Sequence, residues 1–125
     1  MTAKILVIDD LPAMGRAIER MLDTYEVSVE TDPRAAVKRI AEGERFDIVL
    51  CDLEMPEMSG KEVYETLRTY ERPPITLMMS GHANVTPLFA AGCPVLFKPF
   101  EAAELKHLVA ALLHETESPS GYAGA

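Results

Sequence analysis

The chain has 125 residues, 48% of them hydrophobic, which suits one domain with an ordinary core. Its 12 basic and 20 acidic residues give a net charge of −8, which argues against direct binding of nucleic acid and reads as a solvated surface. No segment is long or apolar enough to span a membrane, and the N-terminus enters a strand pattern without an apolar leader, so a cytoplasmic location is expected.

Strand and helix patterns then alternate along the chain. Lys4–Ile8 is an apolar run that reads as a strand. Pro12 opens a helix in which Met14, Ala17, Ile18, Met21 and Leu22 recur at helical spacing. Val27–Thr31 reads as a second strand. Asp32 is a cap and Pro33 the first turn of a second helix, with Ala36, Val37, Ile40 and Ala41 facing inward and Gly43 ending it. Asp47–Cys51 reads as a third strand. Ser59 and Glu62 form a capping box for a third helix that buries Val63 and Leu67 and is stopped by Pro73-Pro74. Ile75–Met79 and Val95–Phe97 are the fourth and fifth strands. Between them only Asn84–Gly92 is free for a helix, so the fourth helix is expected to shrink to Leu88–Ala91. A last helix buries Leu105, Leu108, Val109, Leu112 and Leu113, and from Thr116 the composition turns to that of a frayed tail. The expected division is a domain over residues 1–115 and a flexible tail over 116–125.

This alternation predicts an α/β fold with a doubly wound, five-stranded parallel sheet. The first, third and fourth strands are nearly all apolar, as expected when helices cover both faces. The second alternates Val27-Ser28-Val29-Glu30 and suits an edge, which fits the order 2-1-3-4-5 with the switch point between strands 1 and 3. Cys51 and Cys93 have neither zinc-site nor redox-pair neighbours, and read as buried or partly buried thiols in a reducing compartment. The many methionines read as core filler, Glu42–Arg45 as a solvated loop, and His107 and His114 as helix-end residues without chemistry.

The chemistry lies at the strand ends. Asp9 and Asp10 follow the first strand, Asp52 follows the third and Lys98 the fifth. Ligands of such a sheet bind outside the carboxyl ends of its strands. Crowded carboxylates raise each other's pKa, so three of them together point to a bound cation, with one lysine facing it.

These residues resemble the receiver domain of two-component response regulators. Ile8-Asp9-Asp10 is similar to the family's acidic pair, and the run from Asp52 to Gly60 to its phospho-acceptor loop. Ser80-Gly81 is similar to its hydroxyl followed by a small residue, and Lys98-Pro99-Phe100 to its lysine-proline-phenylalanine. The match runs from residue 4 to about residue 114, and four motifs in order make it specific. The resemblance implies a flavodoxin-like fold and Mg2+-dependent phosphorylation of Asp52 by a histidine kinase or a histidine phosphotransfer protein. It implies Asp10, Asp52 and the backbone carbonyl of Glu54 as Mg2+ ligands, with Asp9 reaching the ion mainly through water. Lys98 and Ser80 would face the phosphoryl group, and the Lys98-Pro99 bond would be cis. No classical enzyme activity is implied beyond self-phosphorylation and dephosphorylation. Output would pass through an unidentified protein partner, as a stand-alone regulator, a phosphorelay shuttle or the receiver part of a longer protein.

Val95 stands where the family usually carries Tyr or Phe, and the stretch from Ser80 to Lys98 is shorter by about a helical turn. Both changes fall on the usual output face, which leaves a constitutive interaction module with the same fold as the alternative. Glu54 and His82 occupy positions that tune phosphoryl lifetime in the family. A phosphatase using an aspartyl-phosphate ranks last, because no cap domain or further acidic motif accompanies Asp52.

Overall fold

The structure is a computed structural model and describes residues 2–81 and 92–117, with side chains to residue 114. Five strands, β1 (Lys4–Ile8), β2 (Glu26–Glu30), β3 (Ile48–Asp52), β4 (Ile75–Ser80) and β5 (Val95–Phe97), form one parallel sheet in the order β2-β1-β3-β4-β5. The described helices are α1 (Pro12–Met21), α2 (Pro33–Ala41), α3 (Gly60–Leu67) and α4 (Ala102–Glu117). The predicted sheet order and parallel sense are those observed, with β2 at the edge. None of these helices is long and apolar enough to cross a membrane.

Period-two alternation divides the core between the two faces. Leu6, Ile8, Val49, Cys51 and Met78 point to the side covered by Ala36 of α2 and by Val63 and Leu67 of α3. Ile5, Val7, Ile48, Leu50, Leu77 and Met79 point to the side covered by Ile18 of α1 and by Leu105 and Val109 of α4. Because β1, β3 and β4 feed both clusters, they need continuous apolar runs. Each such side chain, once buried, contributes about 1.5–3 kcal/mol. The methionines serve as expected: Met78 and Met79 are fully buried, Met55 is a buried member of the core, and Met14, Met21 and Met58 pack at the cluster margins. Both cysteines are free and buried, and burial pushes the Cys93 thiol up to about 11 and that of Cys51 further.

The caps follow the sequence reading. Asp32 accepts from the Arg34 amide, and Ser59 and Glu62 close the capping box of α3. Gly43, just past α2, adopts φ +108, a conformation open to glycine. Several boundaries differ. β2 and β3 sit one residue away from the expected spans, since Glu26 still pairs with Lys4 and Asp52 with Met79. Ala41, expected to face inward, is exposed at the end of α2. The third helix ends at Leu67, well before Pro73-Pro74. The Thr66 hydroxyl back-bonds to the Glu62 carbonyl at 2.9 Å within the helix, and that of Thr69 donates to the Thr66 carbonyl at 2.7 Å just past its end. Glu44 is not simply solvated, because Arg39 holds it at 2.7 Å. Helix α4 continues to Glu117, into the segment expected to fray. The shortened helix expected at 88–91, His82, and the tail from residue 118 lie outside the described residues.

Candidate functional site

The carboxyl ends of β1, β3, β4 and β5 form the rim where the sequence placed its polar residues. Backbone bonds carry the sheet past its strands and fix this rim. The Asp9 amide donates to the Glu30 carbonyl at 3.2 Å, that of Leu53 to Met79 at 2.8 Å and that of Lys98 to Ser80 at 2.7 Å. Asp52 and Ser80 are the last residues of β3 and β4, and Lys98 follows β5. The Lys98-Pro99 bond is cis. Gly60 closes the loop after β3. Its amide donates to the Leu53 carbonyl at 3.0 Å. A Cβ there would lie 2.6 Å from Met78 Sδ and 2.7 Å from the Asp52 carbonyl oxygen, so only glycine lets α3 begin this close to the end of β3.

Asp9, Asp10 and Asp52 each offer a carboxylate oxygen, and the three oxygens lie within 4.8 Å of one another. Asp9 is fully buried and Asp52 is 4% exposed. Lys98 Nζ donates to Asp52 Oδ1 at 3.2 Å, and the Glu54 amide donates to the same oxygen at 3.3 Å. Asp9 Oδ1 accepts from the Leu11 amide at 2.9 Å, while its Oδ2 is buried and has no hydrogen-bond partner. Burial pushes the Asp9 carboxyl above the usual range. The Leu11 amide opposes this, and the negative charge of Asp52 adds to it.

An orphaned, buried carboxylate oxygen beside two further carboxylates is costly unless something positive meets it. Lys98 meets Asp52. The donor set that remains is all oxygen, the chemistry of a hard divalent cation of the Mg2+ type. The residues present therefore fit such an ion.

One contact of the site was not legible in the sequence. Ser80, fully buried, donates from Oγ to Glu54 Oε2 at 3.0 Å, and the Gly81 amide donates to Glu54 Oε1 at 3.5 Å. Glu54 stands out in the sequence for its position two residues after Asp52, but nothing there links it to a residue 26 places on. The loop carrying Glu54 is also tied to α2, because Arg34 Nη2 donates to Glu57 Oε1 at 2.8 Å. Val95 is partly buried against the core on the α3 side. His107 and His114 are exposed on α4.

A family model for the response regulator receiver domain matches residues 5–110. Among curated proteins, a response regulator MprA from Mycolicibacterium vanbaalenii is 35% identical over 127 residues, covering 97% of this chain and 54% of its own length. The chain spans about half the length of that relative and of others it matches. The chemotaxis protein CheY4 of Vibrio cholerae superposes with a TM-score of 0.78 at 28% identity, covering 90% of this chain and 99% of that one. A response regulator receiver domain protein from Clostridium thermocellum gives a TM-score of 0.85 at 24% identity, covering 92% and 97%, a likeness of fold.

Proposed function

The chain belongs to the response regulator receiver domain family, and we propose that it accepts a phosphoryl group on Asp52 from a histidine kinase or a histidine phosphotransfer protein. The observation that carries this reading is the convergence of Asp9, Asp10 and Asp52, with Lys98 Nζ 3.2 Å from the acceptor carboxylate. An Asp52 oxygen would form the new bond to phosphorus while the bond from phosphorus to the donor imidazole nitrogen breaks, the nitrogen keeping the electron pair. Phosphoryl transfer asks the protein mainly for positioning and charge neutralisation. Lys98 is placed to pass from Asp52 Oδ1 to a phosphoryl oxygen, and Ser80 Oγ is a second donor to that group.

Asp9, Asp10, Asp52 and the Glu54 backbone carbonyl would hold Mg2+. When bound, the ion would offset the charge gathered by the acceptor and the phosphoryl oxygens. The reading covers a receiver over residues 1–115 and assigns no role to the tail, 116–125. The chain would act in the cytoplasm, without direct contact to nucleic acid or membrane and without turnover of a separate substrate. Its output would be a protein contact on an atypical switch face, since Val95 carries no ring to turn inward.

Intact mass after incubation with acetyl phosphate or phosphoramidate, with and without Mg2+, tests this. One phosphoryl group should be added to the wild type in a Mg2+-dependent manner, and none to Asp52→Asn. A folded wild type that stays unmodified with metal present would defeat the reading and leave a constitutive interaction module as its successor.

A further inference from the structure

Glu54 is an exposed glutamate whose side chain nevertheless turns inward to the end of β4. Each of its two carboxylate oxygens accepts from a donor there. Oε2 accepts from Ser80 Oγ at 3.0 Å and Oε1 accepts from the Gly81 amide at 3.5 Å. Its own amide meanwhile donates to Asp52 Oδ1 at 3.3 Å, so one residue touches both the acceptor and the strand beside it. Asp52 pairs with Met79 in the sheet, so Ser80 and Gly81 come directly after the acceptor's neighbour. A phosphoryl group on Asp52 carries anionic oxygens that seek donors of this kind. In this structure a carboxylate already engages them.

We propose that the Glu54 side chain is a positioning residue that acts as a stand-in anion. It holds Ser80 Oγ and the Gly81 amide in the unmodified protein, and a phosphoryl group on Asp52 has to displace it. The proposal rests on Asp52 being the acceptor. It assigns Glu54 an opposing role in loading, exerted through Ser80 rather than through negative charge at a distance. An exposed carboxylate gives up such bonds more readily than a buried one, since water replaces them. The hold is therefore reversible.

Two measurements test it. The first is the rate of Asp52 modification by phosphoramidate at saturating Mg2+ in the wild type, Glu54→Ala, Ser80→Ala and the double variant. Glu54→Ala should load roughly fivefold faster than wild type, and the gain should vanish when Ser80 is already alanine, the mark of two residues acting through one contact. The same gain in both backgrounds would mean plain charge repulsion and would overturn the proposal, as would no gain at all. The second needs no phosphorylation: the Gly81 amide proton in metal-free protein. It should move upfield in Glu54→Ala, and less so in Glu54→Gln, which keeps an acceptor. A Gly81 amide blind to Glu54 would also overturn the proposal. A wild type that is never modified, yet whose Gly81 amide depends on Glu54, would sink the acceptor reading and leave the hold itself standing.

Discussion

At the end of the sheet where the strands start, several carboxylates meet a cation or an N–H. Asp47 Oδ2 accepts from the Lys4 amide at 2.8 Å, and Glu26 lies 3.9 Å from Lys4 Nζ. Arg39 grips Glu44 with two nitrogens, at 2.8 and 2.7 Å, and its guanidinium lies 5.3 Å from the centre of the Phe46 ring. At the end where the strands finish, three carboxylates converge, Lys98 meets Asp52 alone among the described residues and Asp9 Oδ2 has no partner. One sheet thus spends its charge on structure at one end and keeps an excess of negative charge at the other. Unmet groups in an otherwise well-satisfied protein mark the place where something from outside is expected.

The largest expected effect comes from removing the slack that lets the finishing end assemble. Gly60→Ala drives a methyl group against the Asp52 carbonyl oxygen and Leu53 Cα, at 2.7 and 2.8 Å, both backbone atoms. It should cost about 2–3 kcal/mol of stability, read by urea denaturation, and slow the labelling of Asp52. A neutral Gly60→Ala would mean that α3 can retreat without moving the acceptor. Gly43 supplies the control of a different kind, since nothing lies within 4 Å of a Cβ there and only its positive φ resists substitution.

Next in size is the unpartnered carboxylate. Asp9→Asn removes a buried charge and should stabilise the metal-free protein by about 1–2 kcal/mol. The sign follows from the raised carboxyl of Asp9. In the native state it keeps its proton to higher pH than in the unfolded chain, so stability falls as pH climbs from the ordinary value of 3.8 through the raised one. The gain from Asp9→Asn should be smallest in acid and grow across that window. Mg2+ should stabilise the wild type by about 1.4 kcal/mol at ten times its Kd through mass action, and Asp9→Asn less. Equal Mg2+ responses in the two proteins would remove Asp9 from the ion's surroundings.

Much of this contrast was open to sequence reading, because it rests on patterns that repeat locally. The apolar runs of β1 and β5 gave their exact residues, and the capping box at Ser59 gave the start of α3. Strand ends located Asp9, Asp10, Asp52 and Lys98 at one rim, since a parallel sheet brings all its carboxyl ends together. What failed was a boundary: Pro73-Pro74 can stop a helix, but α3 already ends at Leu67, where the backbone passes into turns closed by the Thr69 and Tyr70 amides. What was invisible was long-range contact. That Glu54 reaches Ser80, or that Asp9 is left with an orphaned oxygen while Asp52 is not, depends on side-chain direction across strands that are adjacent only in the fold.

The smallest effect tests the other end of the comparison. Glu44 is held below the ordinary carboxylate range by its hydrogen bonds to Arg39, so its contribution has the opposite pH sign to that of Asp9. It is present above 4.5 and lost as pH falls through the lowered value, because the native state resists the proton that the unfolded chain accepts. Glu44→Gln should therefore lower the melting temperature slightly at neutral pH, and the difference from wild type should close in acid. Raising the salt should shrink it as well, since exposed pairs are screened. Labelling of Asp52 should be unchanged, because Glu44 and Asp52 lie at opposite ends of β3. A Glu44→Gln protein whose labelling falls along with its stability would break the division of the sheet into a structural end and a reactive one.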